Sequence, residues 1–129
     1  MAIIIEQGGI SFSSKWIKDG ADADMVKFAE SMAISISKNL SKTQFRNIYG
    51  EIKRIQSNYM NNKPSVFLLK PKVAYAVARA TKKSVKESML RFKEVFDVAI
   101  DCVIDERTYN NFCNFMEAIL AYHRCYAKD

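Results

Sequence analysis

Apolar residues recur at intervals of three and four positions along most of this chain beyond residue 22. Since that period places side chains on one face of an α-helix, the pattern predicts helices with one buried face. Only four Gly and two Pro interrupt the 129 residues, whereas an all-β domain needs a turn about every eight to twelve residues. The sequence therefore predicts an all-α fold, a compact bundle of about five helices in a single domain.

Capping residues and helix breakers set the predicted helix boundaries. Asp22 or Asp24 suits the first N-terminus, where the helix dipole favours acids. Capping-box patterns at Ser41–Gln44 and Ser84–Glu87 mark two further starts, and Pro71 is expected near the start of another helix. The five helices are predicted at about residues 22–38, 42–60, 66–80, 84–104 and 108–126.

The first 21 residues show no sustained period. We expect residues 1–21 to form an irregular N-terminal arm in front of a helical bundle domain at 22–129. Within the arm, the sequence allows a short strand at residues 3–5 or a turn around Trp16.

Several features favour a cytoplasmic protein without a membrane partner. The apolar residues 1–5 follow no basic region and meet Glu6 at once, so they do not resemble a secretory signal. No stretch approaches the roughly 18 to 20 uninterrupted apolar residues of a membrane span. Cys102, Cys113 and Cys125 are odd in number and form no CxxC motif, which predicts reduced thiols in the core.

Positive charge is concentrated in the middle of the chain. From Lys38 to Lys93 there are 14 Lys and Arg residues but only two acids, Glu51 and Glu87, while the rest of the chain has six basic residues and 12 acids. The formal net charge of +6 therefore combines a strongly basic middle with acidic ends. Clustered positive charge favours a polyanionic partner because binding releases counterions. A solvated basic surface without a ligand is the alternative.

The residues that could take part in catalysis lack the partner residues that an active site or a metal site requires. His123 and Cys125 are two residues apart, so their side chains point apart on a helix, and neither has metal-binding spacing. Pairs among Asp101, Asp105 and Glu106 could hold Mg²⁺, but no companion motif accompanies them. The sequence therefore predicts a protein that is not an enzyme and has no metal or cofactor, in which His123 is structural or contacts a partner.

The second predicted helix carries a basic strip. Arg46, Gly50, Lys53 and Ser57 follow one another at three- and four-residue steps and share one face beside the core stripe. Glycine in a helix interior costs about 1 kcal/mol relative to alanine. Two explanations for Gly50 are open: a phosphate backbone or a neighbouring chain approaches there, or another helix of the same bundle packs tightly against it.

The third predicted helix interleaves cations with an aromatic ring. Lys72, Tyr75 and Arg79 lie at steps of three and four, and Lys70 precedes them. In single-stranded nucleic-acid sites, cations hold phosphates and a ring stacks on a base. For Tyr75 itself, however, packing in the core or at its edge is the favoured interpretation. We expect backbone contacts without base specificity. Three lysines extend the charge: Lys82, Lys83 and Lys86.

A small helical DNA-binding transcriptional regulator is the alternative function. Helix-turn-helix proteins favour a short, Gly-containing turn. The loop Asn61-Asn62-Lys63-Pro64 lacks that character, which counts against the regulator.

Three segments of the chain resemble segments of a known protein family and occur in the same order as in that family. They are Ser41-Lys-Thr-Gln-Phe-Arg-Asn47, Leu69-Lys-Pro-Lys-Val-Ala-Tyr-Ala-Val-Ala-Arg79 and Asn111-Phe-Cys-Asn-Phe-Met-Glu-Ala-Ile-Leu-Ala-Tyr-His123. Together they are similar to the small helical subunit of type III-A CRISPR effector (Csm) complexes. Ala78 stands where that family has Gly, and residues 1–22 show no match.

The resemblance implies a non-catalytic structural subunit. Family members stack head to tail in several copies beside the backbone and large subunits. Their basic faces line the channel for the duplex of CRISPR RNA and target single-stranded RNA, and other subunits cleave nucleic acid. Carried over to this chain, the RNA-contacting positions are Arg46, Lys53, Arg54, Lys70, Lys72 and Arg79, with one of the adjacent Lys53 and Arg54 expected to face the channel.

Overall fold

Helices account for most of the chain. The structure, a computed structural model, describes residues 5–79 and 83–128, without the side chains of residues 83–86. It confirms the predicted all-α class and single domain. The elements are β1 (Glu6–Gln7), β2 (Ile10–Ser11), α1 (Lys15–Lys18), α2 (Ala23–Ile36), α3 (Lys42–Ser57), a 3₁₀ turn (Tyr59–Asn61), α4 (Lys63–Ala78), α5 (Lys83–Asp101) and α6 (Glu106–Tyr126).

The C-terminal helix α6 lies at the centre of the bundle. It packs against α1, α2 and α3, and α4 packs against α3 and α5. Because α3 and α4 are joined by only a few residues, they run as an antiparallel pair. This arrangement leaves the outward faces of α3 and α4 side by side on one surface.

Side-chain caps begin three of the helices. Asp22 accepts a 2.8 Å hydrogen bond from the Met25 N–H at the start of α2. The capping box of Ser41 and Gln44 at α3 is confirmed in both directions. The last helix begins at Glu106 rather than at residue 108 because Asp105, not predicted as a cap, accepts a 2.8 Å bond from the Thr108 N–H.

The start of α4 differs from the prediction. It begins at Lys63, with Pro64 in the first turn, so Pro71 lies inside the helix rather than near its start. Pro71 has no N–H to donate to the carbonyl four residues earlier. The helix continues through it because Val66 and Leu69, which precede it, are buried in the core.

The N-terminal residues form small elements that are too short to show a period. Gly8 and Gly9 join β1 to β2 with positive φ values of 62° and 80°, which favour glycine. Trp16 and Ile17 of α1 are buried against the bundle. The segment at residues 5–18 thus contributes to the core.

Some predictions concern parts of the chain outside the described residues. Residues 3 and 4 of the possible first strand, Ala80 and Lys82 lie outside them. The side chains of Lys83, Ser84 and Lys86 are likewise not described.

The three cysteines are free thiols in different environments. Cys113 is buried and Cys102 is half-buried, but Cys125 is exposed. The prediction of core thiols was therefore wrong for Cys125, which lies on the outward side of the last turn of α6. None of the described helices combines the length and apolarity that a bilayer crossing requires.

Candidate nucleic-acid interface

The outward face of α3 is the basic strip that the sequence predicted. Arg46, Gly50, Lys53 and Ser57 are all exposed. The opposite face supplies the core residues Phe45, Ile48, Ile52 and Ile55. Helical geometry therefore directs both cations of the strip into solvent.

Gly50 is surrounded by open space. A Cβ atom built on it meets no heavy atom within 4 Å beyond its own helix backbone. The explanation that another helix of the bundle packs tightly against Gly50 is therefore wrong. No group of the described chain requires a glycine at this place.

Lys53 and Arg54 are adjacent in sequence but point to opposite edges of α3. The Lys53 Nζ donates to Gln56 Oε1 at 2.7 Å, and Gln56 in turn bonds Asn110 of α6. Arg54 donates to both carboxylate oxygens of Glu51, at 2.6 and 3.0 Å, on the side toward α4. Its hydrogen bond is the largest cause that lowers the pKa of Glu51, so this carboxylate is ionised at neutral pH.

A shallow groove separates α3 from α4. We call it the α3–α4 groove, and its lining residues are Gln44, Asn47, Ile48, Lys72, Tyr75, Ala76 and Arg79. It brings Lys72, Tyr75 and Arg79 together as their spacing predicted. The sequence did not assign Gln44 and Asn47 to the site, although their three-residue spacing places both on one side of α3.

Tyr75 stands on the surface beside Arg79. Its side chain is 67% exposed, so the favoured prediction that Tyr75 packs in the core or at its edge was wrong. The guanidinium carbon of Arg79 lies 5.9 Å from the centroid of the Tyr75 ring, within the range of a cation–π contact. An exposed ring with a cation beside it matches the arrangement in which single-stranded bases stack on proteins.

Lys70 is separated from the other cations of α4. It lies on the side of the helix that faces α5, where its Nζ pairs with the Asp101 carboxylate at 2.5 Å. Lys72, two residues later, points toward α3, where its charge contributes to the lowered pKa of Glu51. The geometry therefore does not bring Lys70 together with Lys72 and Arg79.

Five exposed cations lie on the solvent-facing sides of the neighbouring helices α3 and α4. We call this region the cationic surface; its members are Arg46, Lys53, Arg54, Lys72 and Arg79, all exposed. Within the described residues, Glu51 is the acid that lies among them, and it pairs with Arg54. The surface consequently keeps a strong net positive charge.

Two of the acids considered for catalysis, and the histidine, have structural partners. Asp101 pairs with Lys70, and Asp105 caps α6. His123 is fully buried, with its Nε2 bonded to the Leu40 carbonyl. The residues that the structure describes contain no group of three or more His, Cys, Asp or Glu side chains able to hold a metal ion.

Fold and surface together define a small helical protein with a cationic surface on two neighbouring helices. A comparison with known families matches residues 20–129 to the family described as Csm2 Type III-A. The chain therefore belongs to that family and is a small structural subunit of the type III-A CRISPR Csm complex. Neither a curated protein nor a solved structure matches this chain.

Proposed function

We propose that this subunit binds RNA through the cationic surface and does so as one of several copies that line the channel for the guide–target duplex. The observation that carries the proposal is the clustering of Arg46, Lys53, Arg54, Lys72 and Arg79 on adjacent helix faces with one carboxylate among them. Phosphates are the natural ligands for such a surface because their binding releases counterions.

The mechanism is electrostatic clamping of the RNA backbone. Long cationic side chains on two rigid helices contact phosphates, and Tyr75 offers a ring for stacking at one edge. None of these groups reads a base edge in a defined pattern, so binding is independent of sequence. CRISPR RNA and target RNA supply the sequence specificity by pairing with each other.

The same surface explains why we propose no catalytic role. RNA cleavage needs a metal site or an acid–base pair aimed at a phosphate. Glu51, within the cationic surface, and Asp101, on the α5 side of α4, each pair with a cation instead. Cleavage is accordingly assigned to other subunits of the complex. Family membership also favours this role over that of a DNA-binding regulator.

The test removes two cations from the α3–α4 groove. In the variant Lys72→Ala with Arg79→Ala, the full-length chain should bind a single-stranded RNA of about 30 nucleotides more weakly, while its helicity stays unchanged. The slope of log affinity against log salt should become less steep by about 1.4, since each lost phosphate contact on a single strand accounts for about 0.7.

A matched control removes one Lys and one Arg elsewhere. Lys27 of α2 and Arg124 of α6 are exposed and lie outside the cationic surface. The variant Lys27→Ala with Arg124→Ala should bind RNA almost as the wild type does. Equal weakening in both variants would mean that only net charge matters, and the proposal would fail.

We further propose that copies associate head to tail through opposite charges. Of the 14 acidic residues, 12 lie toward the ends of the chain, at positions 6–30 and 94–129, whereas 14 of the 20 basic residues lie between Lys38 and Lys93. An acidic end of one copy can therefore dock near the basic region of the next. Sedimentation at rising salt should show dissociation of such oligomers, and assemblies that are insensitive to salt would contradict this contact.

A further inference from the structure

Gly50 occupies the centre of the basic strip on α3, and the bundle itself gives no reason for it. It is exposed, and a Cβ atom would meet nothing within 4 Å. Alanine would fit there and would favour the helix, because glycine is a poorer helix former at interior positions. The glycine leaves the main chain of α3 accessible to a molecule outside the chain.

We propose that the sugar–phosphate backbone of RNA lies directly against the main chain of α3 at Gly50, between the side chains of Arg46 and Lys53. This inference rests on the proposed function. Along the helix axis, Arg46 lies about 6 Å before Gly50 and Lys53 about 4.5 Å after it, because each residue rises about 1.5 Å. Both long side chains can reach a phosphate that rests on the glycine.

Gly50 acts by leaving space rather than by donating a hydrogen bond. Its N–H lies within α3, where the helix hydrogen bonds engage it. A phosphate resting on the helix contacts the Cα–H groups, and the charged hydrogen bonds come from Arg46 and Lys53. A side chain at position 50 would hold the strand away from the helix surface and lengthen both contacts.

The surroundings favour RNA over a protein partner. The exposed residues of α3 around Gly50 are polar or cationic: Arg46, Asn47, Lys53, Arg54 and Ser57. The two carboxylates nearby have partners, since Glu51 pairs with Arg54 and Glu117 accepts a hydrogen bond from Tyr49. The centre of a protein–protein interface is usually apolar or aromatic and poor in lysine. A polyanion is the ligand that fits an exposed helix main chain flanked by two cations.

The experiment compares Gly50→Ala and Gly50→Leu with the wild type as full-length chains. Thermal unfolding is followed by circular dichroism, and binding of a fluorescent RNA of about 30 nucleotides by fluorescence polarisation at about 50 mM salt. Gly50→Ala should raise the melting temperature by roughly 4 °C. It should nevertheless weaken RNA binding about three- to ten-fold, and Gly50→Leu should weaken it further.

Two control variants distinguish the effect of added side-chain bulk from the effect of lost charge. Ala23→Leu adds bulk at an exposed position of α2, a helix outside the cationic surface, and should leave RNA binding unchanged. Arg46→Ala with Lys53→Ala removes the flanking charges and should reduce the salt slope by about 1.4. The Gly50 variants should bind more weakly without a change in that slope, since they remove no charge.

The other possible results distinguish failure of the inference about Gly50 from failure of the proposed function. If the Gly50 variants bind RNA like the wild type while the Arg46 and Lys53 variant is weakened, the inference about Gly50 is overturned and the proposed function stands. If neither set weakens binding, both are overturned. If Gly50→Leu keeps RNA binding but no longer co-purifies with the other Csm subunits, a protein occupies the strip instead of RNA.

Discussion

The imidazole of His123 is tied to the backbone of a distant segment: its Nε2 lies 2.6 Å from the carbonyl oxygen of Leu40. Since a carbonyl only accepts, Nε2 carries the proton. Nδ1 is buried and has no hydrogen-bond partner, and the ring packs 5.0 Å from that of Phe45. His123 thus joins α6 to the α2–α3 connection as a neutral side chain.

Stability should fall in mild acid because of His123. Burial, aided by the charge of Lys42, lowers its pKa below the ordinary value of 6.5. The unfolded chain therefore binds the proton more readily, so the free energy of unfolding decreases as the pH falls below about 6.5. Urea denaturation at about pH 7.5 and about pH 5.5 should show this loss.

The variant His123→Gln keeps a donor for the Leu40 carbonyl but does not titrate. It should be less stable than the wild type at neutral pH and should lose less stability between the two pH values. An equal loss in variant and wild type would mean that His123 is not the source of the acid sensitivity between these pH values. The carboxylates of Glu51 and Asp105, whose pKa values are lowered by their partners, reduce stability only below about pH 5.

Tyr75 should contribute to RNA binding without contributing to folding. Because the ring is mostly exposed, Tyr75→Ala should change the free energy of unfolding by less than about 0.5 kcal/mol. Loss of one stacked base should weaken RNA binding by about 1–3 kcal/mol. Tyr75→Phe is the control and should bind like the wild type in fluorescence polarisation. Normal binding by Tyr75→Ala would exclude stacking.

Lys70 should matter less for RNA than Lys72 does. Its ammonium group already pairs with Asp101, whereas Lys72 faces the α3–α4 groove. Lys70→Ala should lower the free energy of unfolding by less than about 1 kcal/mol, since the pair is largely exposed. Its RNA affinity should fall less than that of Lys72→Ala under the same salt conditions. The reverse order would place the RNA on the α5 side of α4.

The three thiols should react with a disulfide reagent at different rates. Cys125 is exposed and should react first in the native protein. Burial raises the pKa of Cys113 to about 12, so it should react only after unfolding, because the thiolate is the nucleophile. Cys102 is half-buried with a raised pKa and should be intermediate. Peptide mapping after timed labelling, with a denatured control, measures the order.

The long helices of the bundle could be predicted because their signals are local. The apolar stripe of α3, from Phe45 to Ile55, and the cap at Ser41 act within a few residues of the chain. The basic segment is likewise a property of composition. Residues 5–18 could not be predicted in the same way, because the two-residue strands and four-residue α1 are held by burial of Trp16 and Ile17 rather than by a period.

The sequence by itself determined the helical class, the main caps and the basic face of α3, since these depend on spacing along one helix. The tertiary structure decided which sides of α4 are free. Apolar residues surround that helix: Val66 and Leu69 are buried, while Phe67 and Leu68 are exposed. Only its packing between α3 and α5 turns Lys72 toward the groove and Lys70 toward Asp101. When apolar residues occur on every side of a helix, its orientation depends on its neighbours, and these lie far away in the sequence.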